Sequence, residues 1–286
     1  MKKLIYVSKG KPSDRNKRKY DAFIKFVDRV DKNLMPGGKY YTCEEFSEYI
    51  VGARPFGIVC SFDSQDEFEY VINLICDFVG SMLLFIKHNI EFDLTPMEKC
   101  TQLEAIQLFG NAKQTSLWDV KKNTKLHSFE ITDYNKISDM SVFRGSTVET
   151  LCFFGCDGAS SFVSKLHIKD FSFILDIPNL RDLHFDIVKD EPSEYYLNIL
   201  AKCKGLETLC TTRNFFTFQQ FAWLKAHLPN VNEGLECIFD GGHFKSVIGK
   251  KTPKYLQDDS KAAEFQKRYD AMVEKYKECS IPPKDN

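Results

Sequence analysis

The sequence has no long apolar run and almost no net charge. No stretch approaches the roughly 18 apolar residues that a membrane-spanning helix requires. Near the N-terminus only residues 4–7 form an apolar run, whereas a secretory signal holds about 7 to 15 apolar residues there. The formal net charge of -1 argues against a globally basic nucleic-acid-binding protein. These absences predict a cytoplasmic protein without a membrane partner.

Motifs of common enzymes are missing as well. The chain contains no G-x-S-x-G, no H-E-x-x-H, no EF-hand loop and no dinucleotide-binding glycine pattern. In GGHFKSVIGKKT, six residues separate Gly242 from Gly249, where a phosphate-binding loop has four. We therefore expect a protein that is not an enzyme, with no cofactor and no small-molecule substrate.

The cysteines do not form an obvious framework either. Ten are present, but no two stand in a C-x-x-C arrangement. A chain of 286 residues can bury a core without disulfide bonds, and a cytoplasmic location keeps thiols reduced. We expect free cysteines, most of which pack as small apolar side chains.

The N-terminal segment is locally basic. Residues 1–32 hold eleven Lys or Arg against four Asp, as a nucleic-acid-binding arm does. The charges alternate with apolar residues such as Phe23 and Phe26, which is typical of the solvated side of a helix. We expect a helix over residues 20–34 and regard nucleic acid as an unlikely partner.

An uneven apolar pattern recurs along the rest of the chain. In TQLEAIQLFGN (101–111), counted from Leu103, apolar residues occupy positions 1, 4 and 6, and Asn111 occupies position 9. Four further units start at Leu126, Val148, Leu180 and Leu206, which gives steps of 23, 22, 32 and 26 residues. The long step contains DGASSFVSK (157–165), whose small residues predict an inserted loop.

Repeats of about 20 to 29 residues with L-x-x-L-x-L-x-x-N/C are typical of leucine-rich repeats. The chain resembles that family over roughly residues 80–240, and most closely the bacterial type with a D-L-S-P-L segment, here DLTPM at 93–97. The resemblance implies an α/β solenoid of about five to seven coils, with a parallel sheet on the concave side and helical or irregular segments outside. It also implies a bacterial, non-enzymatic protein-interaction module.

Each position of the repeat has a physical reason. Positions 4 and 6 alternate on a short strand, so both side chains point inward. Position 9 requires a polar group where the chain turns, and we expect Asn111 and Asn214 to bond backbone groups of the neighbouring coil, with Cys156 in the same place. Side-chain oxygens that can cap a short convex helix are those of Asp139, Ser141, Asp170 and Ser172.

Both ends of a stack of repeats need a cover. We divide the chain into an α/β N-terminal cap (1–79), the repeats (80–240) and a C-terminal strand and helix cap (241–286). At the N-terminal end we expect a strand over 56–62 and a helix over 63–79, which begins with a capping box of Ser64 and Glu67. A strand over 81–88 then forms the first repeat, with Leu83 and Phe85 at positions 4 and 6. At the C-terminal end we expect a strand over 244–251 and a helix over 259–278.

The predicted C-terminal helix carries an apolar stripe at helical spacing. Its members are Phe265, Tyr269, Met272 and Tyr276. Packing of this stripe on the end of the stack is the simpler interpretation. A docking helix for a partner is the alternative.

In parallel strands, equal positions of successive units lie side by side, about 4.8 Å apart. Position 5 faces outward on the predicted concave side and reads Gln107, Glu130, Cys152, His184 and Cys210. The flanking positions add Glu104, Phe109, His127, Thr132, Glu149, Phe154, Arg181, Asp182 and Asp186. We predict that these residues contact a protein partner, with the phenylalanines as apolar anchors.

The mixture of Cys, His and Glu in this row leaves a second hypothesis open. A zinc ion or a nucleophile–base pair uses these residue types. Glu130 and Cys210 are three strand spacings apart, roughly 14 Å, so only neighbouring residues are able to share one ion. The alternative to a binding module is therefore a thiol- or metal-dependent enzyme that uses His184 with Cys152 or Cys210.

Overall fold

The computed structural model is a mixed α/β structure organised around one large sheet. It describes residues 4–9, 20–28, 37–87, 89–153, 165–240, 245–250, 255–256 and 259–285. Within these ranges, ten strands join in the order β10-β9-β8-β7-β6-β5-β4-β2-β1-β3. Every pairing from β2 to β10 is parallel, and β1 runs antiparallel to both of its neighbours.

The strands of the large sheet are β1 (Leu4–Lys9), β2 (Ala22–Val27), β3 (Lys39–Tyr41), β4 (Gly57–Phe62), β5 (Ser81–Ile86), β6 (Ala105–Asn111), β7 (Ser128–Tyr134), β8 (Thr150–Phe153), β9 (Asp182–Phe185) and β10 (Thr208–Thr211). The α-helices are α1 (Cys43–Ala53), α2 (Gln65–Ile75), α3 (Ser193–Leu200), α4 (Phe218–His227) and α5 (Asp259–Tyr276). Short 3₁₀ helices cover Thr95–Lys99, Val120–Lys122, Ser141–Phe143 and Phe171–Asp176. A separate small sheet contains β11 (Ile238–Asp240), β12 (Lys245–Val247) and β13 (Tyr255–Leu256).

The helix predicted over residues 20–34 is wrong in its described part. Residues 22–27 form β2, with Ala22, Ile24 and Phe26 buried and the residues between them half-buried. That burial has a period of two, and β2 sits between β1 and β4 in the sheet. Tertiary pairing on both sides therefore decided the conformation of a segment whose charges suggested a helix surface.

The strand predicted as the first repeat is present as β5, but its predicted register was shifted by one residue. Met82 pairs with Ile106 and Leu84 with Leu108, so these two buried residues occupy positions 4 and 6. Leu83 and Phe85 point to the other side and remain half-buried. Because side chains alternate along a strand, a slip of one residue exchanges the two faces.

The five predicted repeat units all begin on the apolar interior. Position 1 is buried in each of them, and all of these side chains belong to one continuous apolar cluster: Leu103, Leu126, Val148, Leu180 and Leu206. The backbone repeats the same contact at each step. His127 and Ser128 both donate to the Glu104 carbonyl, and Glu149 and Thr150 both donate to the His127 carbonyl. Each unit is thus hydrogen-bonded to the next unit in the chain through its backbone.

Aspartates fix the turns on the side of the 3₁₀ helices, as predicted for Asp139 and Asp170. The Asp139 carboxylate accepts from the Ser141 N–H at 2.8 Å, and Asp170 accepts from the Ser172 N–H at 2.9 Å. The bond from the Ser141 N–H is the largest cause of the lowered pKa of Asp139, whereas a hydrogen bond from the Ser172 hydroxyl is the largest cause of the lowered pKa of Asp170. The Asp93 carboxylate makes the same bond to the Thr95 N–H. Asp93 was not among the residues predicted to cap these helices.

Of the two asparagines predicted at position 9, only one forms the expected hydrogen bonds with buried backbone groups. Asn111 is fully buried and donates to the carbonyl of Ile90, at 2.8 Å, in the preceding unit. Its carboxamide oxygen accepts from the N–H groups of Lys113 and Gln114. Asn214 is exposed instead, because the chain after β10 turns into α4 rather than continuing the pattern. The third position-9 residue, Cys156, lies outside the described residues.

At the N-terminal end, the predicted strand and the predicted helix start are confirmed, but the predicted capping box is incomplete. The strand predicted over 56–62 is β4. Ser64 caps α2, since its hydroxyl accepts from the Glu67 N–H, but the Glu67 carboxylate accepts from the Asp63 N–H at 2.8 Å. A complete capping box occurs elsewhere, between Thr42 and Glu45 at the start of α1. The helix α1 itself was not predicted.

The C-terminal elements differ from the expectation in one respect. The strand predicted over 244–251 is β12, and it joins the small sheet instead of extending the large one. The helix predicted over 259–278 is α5, and Tyr269 is 2% exposed with its ring 5.3 Å from that of Phe218 in α4. The rest of the stripe also packs against the core. The packing interpretation is confirmed, with Phe265, Met272 and Tyr276 half-buried against the core.

The C-terminal residues cross α4 and reach the start of α3. The Trp223 ring donates to the Cys279 carbonyl at 2.9 Å, and the Gln220 carboxamide donates to the Pro283 carbonyl at 3.0 Å. The Asp285 carboxylate then accepts from both the N–H and the hydroxyl of Ser193, at 3.0 and 2.6 Å. Asp285 thus acts as a helix cap for α3, whose own N-terminal residue makes no side-chain cap.

The two position-9 asparagines allow a matched test of the interior hydrogen bonds. Asn111→Ala removes three bonds and leaves buried backbone groups without a partner, so we expect a loss of about 2 to 3 kcal/mol in the free energy of unfolding. Asn214→Ala changes an exposed side chain and is expected to cost less than about 0.5 kcal/mol. Urea denaturation followed by circular dichroism measures both. Equal losses in the two variants contradict this assignment.

The Asp285 cap predicts a pH dependence of stability. Burial raises the pKa of this carboxyl group, but hydrogen bonds from Ser193 and Gln220 together with the charge of Lys189 outweigh it, so the net pKa is lowered. A pKa lower in the folded than in the unfolded state stabilises the fold above the unfolded value of about 3.9, and this contribution is lost as pH falls through the folded value. Wild type and Asp285→Asn are therefore expected to differ by up to about 1 kcal/mol at pH 6. The difference should shrink below pH 4 in urea denaturation, and a constant difference across pH argues against the cap.

Candidate functional site

The residues predicted at position 5 form a continuous row across the sheet. Register pairs Gln107 with Glu130, Glu130 with Cys152, Cys152 with His184, and His184 with Cys210. All five side chains are half-buried, whereas the residues on either side of them along each strand are buried, apart from the half-buried Thr211 after Cys210. We call the side of the sheet that carries this row the second face. The juxtaposition predicted from the sequence is confirmed.

The next row toward the C-terminal ends of the strands is only partly accessible. Phe109 is half-buried and packs on Phe85, with ring centroids 5.3 Å apart. Thr132, beside Phe109 in register, is 4% exposed and offers little surface to a partner. Asp186 is half-buried and pairs with Lys165 at 2.6 Å. Phe154 lies outside the described residues.

Four predicted residues lie just before the strands, at one edge of the second face. They are Glu104, His127, Glu149 and Arg181, and the backbone N–H of each of the last three donates to the carbonyl of the one before it. His127, Glu149 and Arg181 are exposed, and Arg181 pairs with Glu207 at 3.6 Å. Asp182 begins β9 and accepts a hydrogen bond from the Thr150 hydroxyl at 3.1 Å. This edge is therefore polar and mixed in charge.

The sequence analysis missed the N-terminal half of the second face. The position-5 row continues from Gln107 to Leu83, then to Val59 and to Phe23. These residues are apolar, and Phe23 and Leu83 are half-buried. The alternation in AFIKFV was the available signal, but the helix assignment of that segment concealed it.

His184 lies in a negative electrostatic field. Burial lowers the pKa of its imidazole, and the charges of Asp182, Glu233 and Glu130 oppose that shift without reversing it. The imidazole is therefore neutral at pH 7. Glu233 comes from the segment after α4 that continues the sheet through a bridge to Thr208. Residues of β7, of β9 and of this bridging segment thus contribute to the environment of one histidine.

The electrostatics do not favour Cys210, one of the two cysteines in the thiol-dependent alternative, as a nucleophile. Burial, followed by the charges of Glu233, Glu236 and Asp182, raises the pKa of the Cys210 thiol to about 11. A nucleophilic cysteine requires a lowered pKa, which a nearby positive charge or a helix N-terminus provides. The neutral His184 provides no such charge.

The geometry does not favour a metal centre either. Among the described residues, no group of three or more His, Cys, Asp or Glu side chains converges on one point. In the row itself, the Gln107 carboxamide donates to the Glu130 carboxylate at 2.7 Å, so this carboxylate already bonds within the sheet. A row of side chains along parallel strands presents a line of groups rather than the cage that a metal ion requires.

Neither models of known protein families nor curated proteins give a match to this chain. A separate finding concerns membranes. Among the described residues, no helix has both the length and the apolar character needed to cross a bilayer.

The raised pKa of Cys210 gives a direct test of the thiol hypothesis. At pH 7.5, alkylation of Cys210 by iodoacetamide should be on the order of 100-fold slower than that of an ordinary exposed thiol, and the rate should rise steadily toward pH 11. Cys43 is exposed and serves as the reference in the same sample. Mass spectrometry of the labelled peptides gives both rates, and rapid labelling of Cys210 at neutral pH revives the enzyme alternative.

Proposed function

We propose that this chain is a leucine-rich-repeat solenoid that binds a partner protein on the second face of its sheet, which is then the concave face. Support for the solenoid comes from the common register of the units, the shared interior at position 1 and the aspartate bond that recurs before the 3₁₀ helices. Repeat architectures bind through such extended preformed surfaces.

The observation that carries the proposal is the asymmetry between the two faces of the parallel sheet. One face is completely buried, as at Ile106, Phe129 and Leu183. The other carries half-exposed side chains along at least five strands, including Leu83, Gln107 and His184. Parallel sheets in globular proteins are usually covered on both faces. A face left partly open across so many strands is suited to receive another molecule.

The chemistry of the face fits protein recognition better than catalysis. Phe85 and Phe109 form an aromatic pair that provides an apolar anchor. Polar groups such as Glu130 and His184 lie on the strands beyond β6 and provide hydrogen bonds. Because the strands fix all these side chains before binding, little conformational entropy is lost on association.

Two kinds of interaction module are compatible with this surface. A scaffold or adaptor brings proteins together with moderate affinity. An inhibitor or immunity-type protein occludes the active site of one enzyme and forms a tight one-to-one complex. The stoichiometry and the dissociation rate of the complex separate these roles, since an inhibitor gives a single partner that dissociates slowly.

A pair of variants tests the second face. Phe109→Ala with His184→Ala removes side chains from that face, and we expect an affinity loss of at least about tenfold. The control variant combines Leu175→Ala with Lys122→Ala, two substitutions on the 3₁₀ helices. It removes an apolar side chain that is 39% exposed and one charge, and it should bind as wild type does. A partner is first captured by the wild-type chain from the native host and identified by mass spectrometry, and titration calorimetry then compares the variants.

Circular dichroism and urea denaturation establish that both double variants fold. Binding that survives in the first variant and disappears in the control places the interaction on the opposite side and contradicts the proposed function.

A further inference from the structure

The second face is divided into two chemically different halves along the strand order. On β2, β4, β5 and β6 it carries mainly apolar side chains, with Leu83, Phe85 and Phe109 half-exposed beside one another. From β7 onward the described residues in the same rows are Ser, Thr, Asp, Glu, His and Cys, and several of them are acidic. The change falls between neighbouring strands, so one elongated ligand is able to contact both halves.

Carboxylates dominate the second half. Glu130, Asp182 and Glu233 come from three different parts of the chain and all act electrostatically on His184. Glu149 is exposed at the adjoining edge. A negative potential therefore extends over the polar half of the face.

The basic groups near this half do not cancel that potential. Arg181 pairs with Glu207 at 3.6 Å, and Lys165 pairs with Asp186 at 2.6 Å, so each is already matched by a carboxylate. Burial keeps His184 neutral at pH 7. His127 is exposed at the edge, and Lys25 lies at the far end of the apolar half, on β2.

We propose that the second face binds an extended segment of a partner protein in which aromatic or aliphatic residues stand next to several Lys or Arg residues. This inference rests on the proposed function and specifies the chemistry of the partner. The apolar residues pack on Leu83, Phe85 and Phe109, and the basic residues face Glu130, Asp182 and Glu233. Charge complementarity fixes the direction of the segment along the sheet.

The dimensions of the sheet set the length of this segment. Five strand spacings separate β5 from β10, and at about 4.8 Å each they span roughly 24 Å. An extended chain covers about 3.3 Å per residue, so about seven or eight residues bridge the apolar and acidic halves. A nucleic acid is a poor occupant, because its phosphates are repelled by the same carboxylates.

A random peptide library tests the inference without knowledge of the partner. Phage-displayed peptides of roughly 12 residues, longer than the required span, are selected on the immobilised full chain, and the enriched peptides are synthesised. We expect peptides that combine aromatic or aliphatic residues with a net positive charge. Their affinity, measured by fluorescence polarisation, should fall about tenfold or more between about 50 mM and about 300 mM NaCl.

Two triple variants with equal charge change locate the effect. Glu130→Gln, Asp182→Asn and Glu233→Gln neutralise the second face, and this variant should weaken the enriched peptides about tenfold or more. Glu48→Gln, Asp66→Asn and Glu278→Gln neutralise three exposed carboxylates elsewhere and should leave affinity unchanged. Amide substitutions keep the side-chain shape, and urea denaturation verifies that both variants fold.

The possible failures are distinguishable. The enriched peptides could carry no positive charge and bind the face-neutralised variant as tightly as wild type, yet bind Phe109→Ser more weakly. This result overturns the partner chemistry and leaves the binding role intact. If no enriched peptide responds to either change, the proposed function fails as well. Concentration-dependent dimerisation in light scattering that Phe109→Ser abolishes identifies a second copy of this chain as the occupant and also overturns the inference.

Discussion

The stacking of parallel strands over a shared apolar interior is the constraint on which the rest of this structure depends. The inward-facing apolar side chains of the parallel strands belong to one continuous apolar cluster, so each strand is covered by its neighbours. The recurring backbone bonds, in which two successive N–H groups share one carbonyl of the preceding unit, hold the strands at a constant offset. Once that offset is fixed, every equivalent residue is placed on one of two faces.

Polar groups inside the stack support this arrangement where the chain turns. Asn111 and Asn123 both donate from a buried carboxamide to carbonyl groups of the preceding unit, and Asn123 also accepts from the ring N–H of Trp118. Leaving such carbonyls without donors costs free energy, so these asparagines fix the turns in place. At the C-terminal end, Asp285 serves the same purpose for α3 over a separation of 92 residues.

The same register that buries one set of side chains presents the other set to solvent. Leu83, Gln107, Glu130, Cys152, His184 and Cys210 lie side by side because Met82, Ile106, Phe129, Leu151, Leu183 and Leu209 do so on the opposite face. A surface made in this way is rigid and elongated, and its chemistry changes between β6 and β7 from mainly apolar to mainly polar. These properties suit the recognition of an extended protein segment, and they do not bring the convergent groups that catalysis or metal binding requires.

The sequence by itself determined which residues from Leu103 onward lie in the interior and which form the position-5 row, because these depend on local alternation and a recurring spacing within each unit. It also identified the aspartate turns and the C-terminal helix, since both follow from interactions within a few residues. Only the tertiary structure decided that residues 22–27 form a strand between two others, that Leu83 faces outward, and that Asn214 is exposed while Asn123 is buried. For residues 22–27, Leu83 and Asn123 the deciding contact is with a residue distant in sequence, and local propensity is too weak to determine the result.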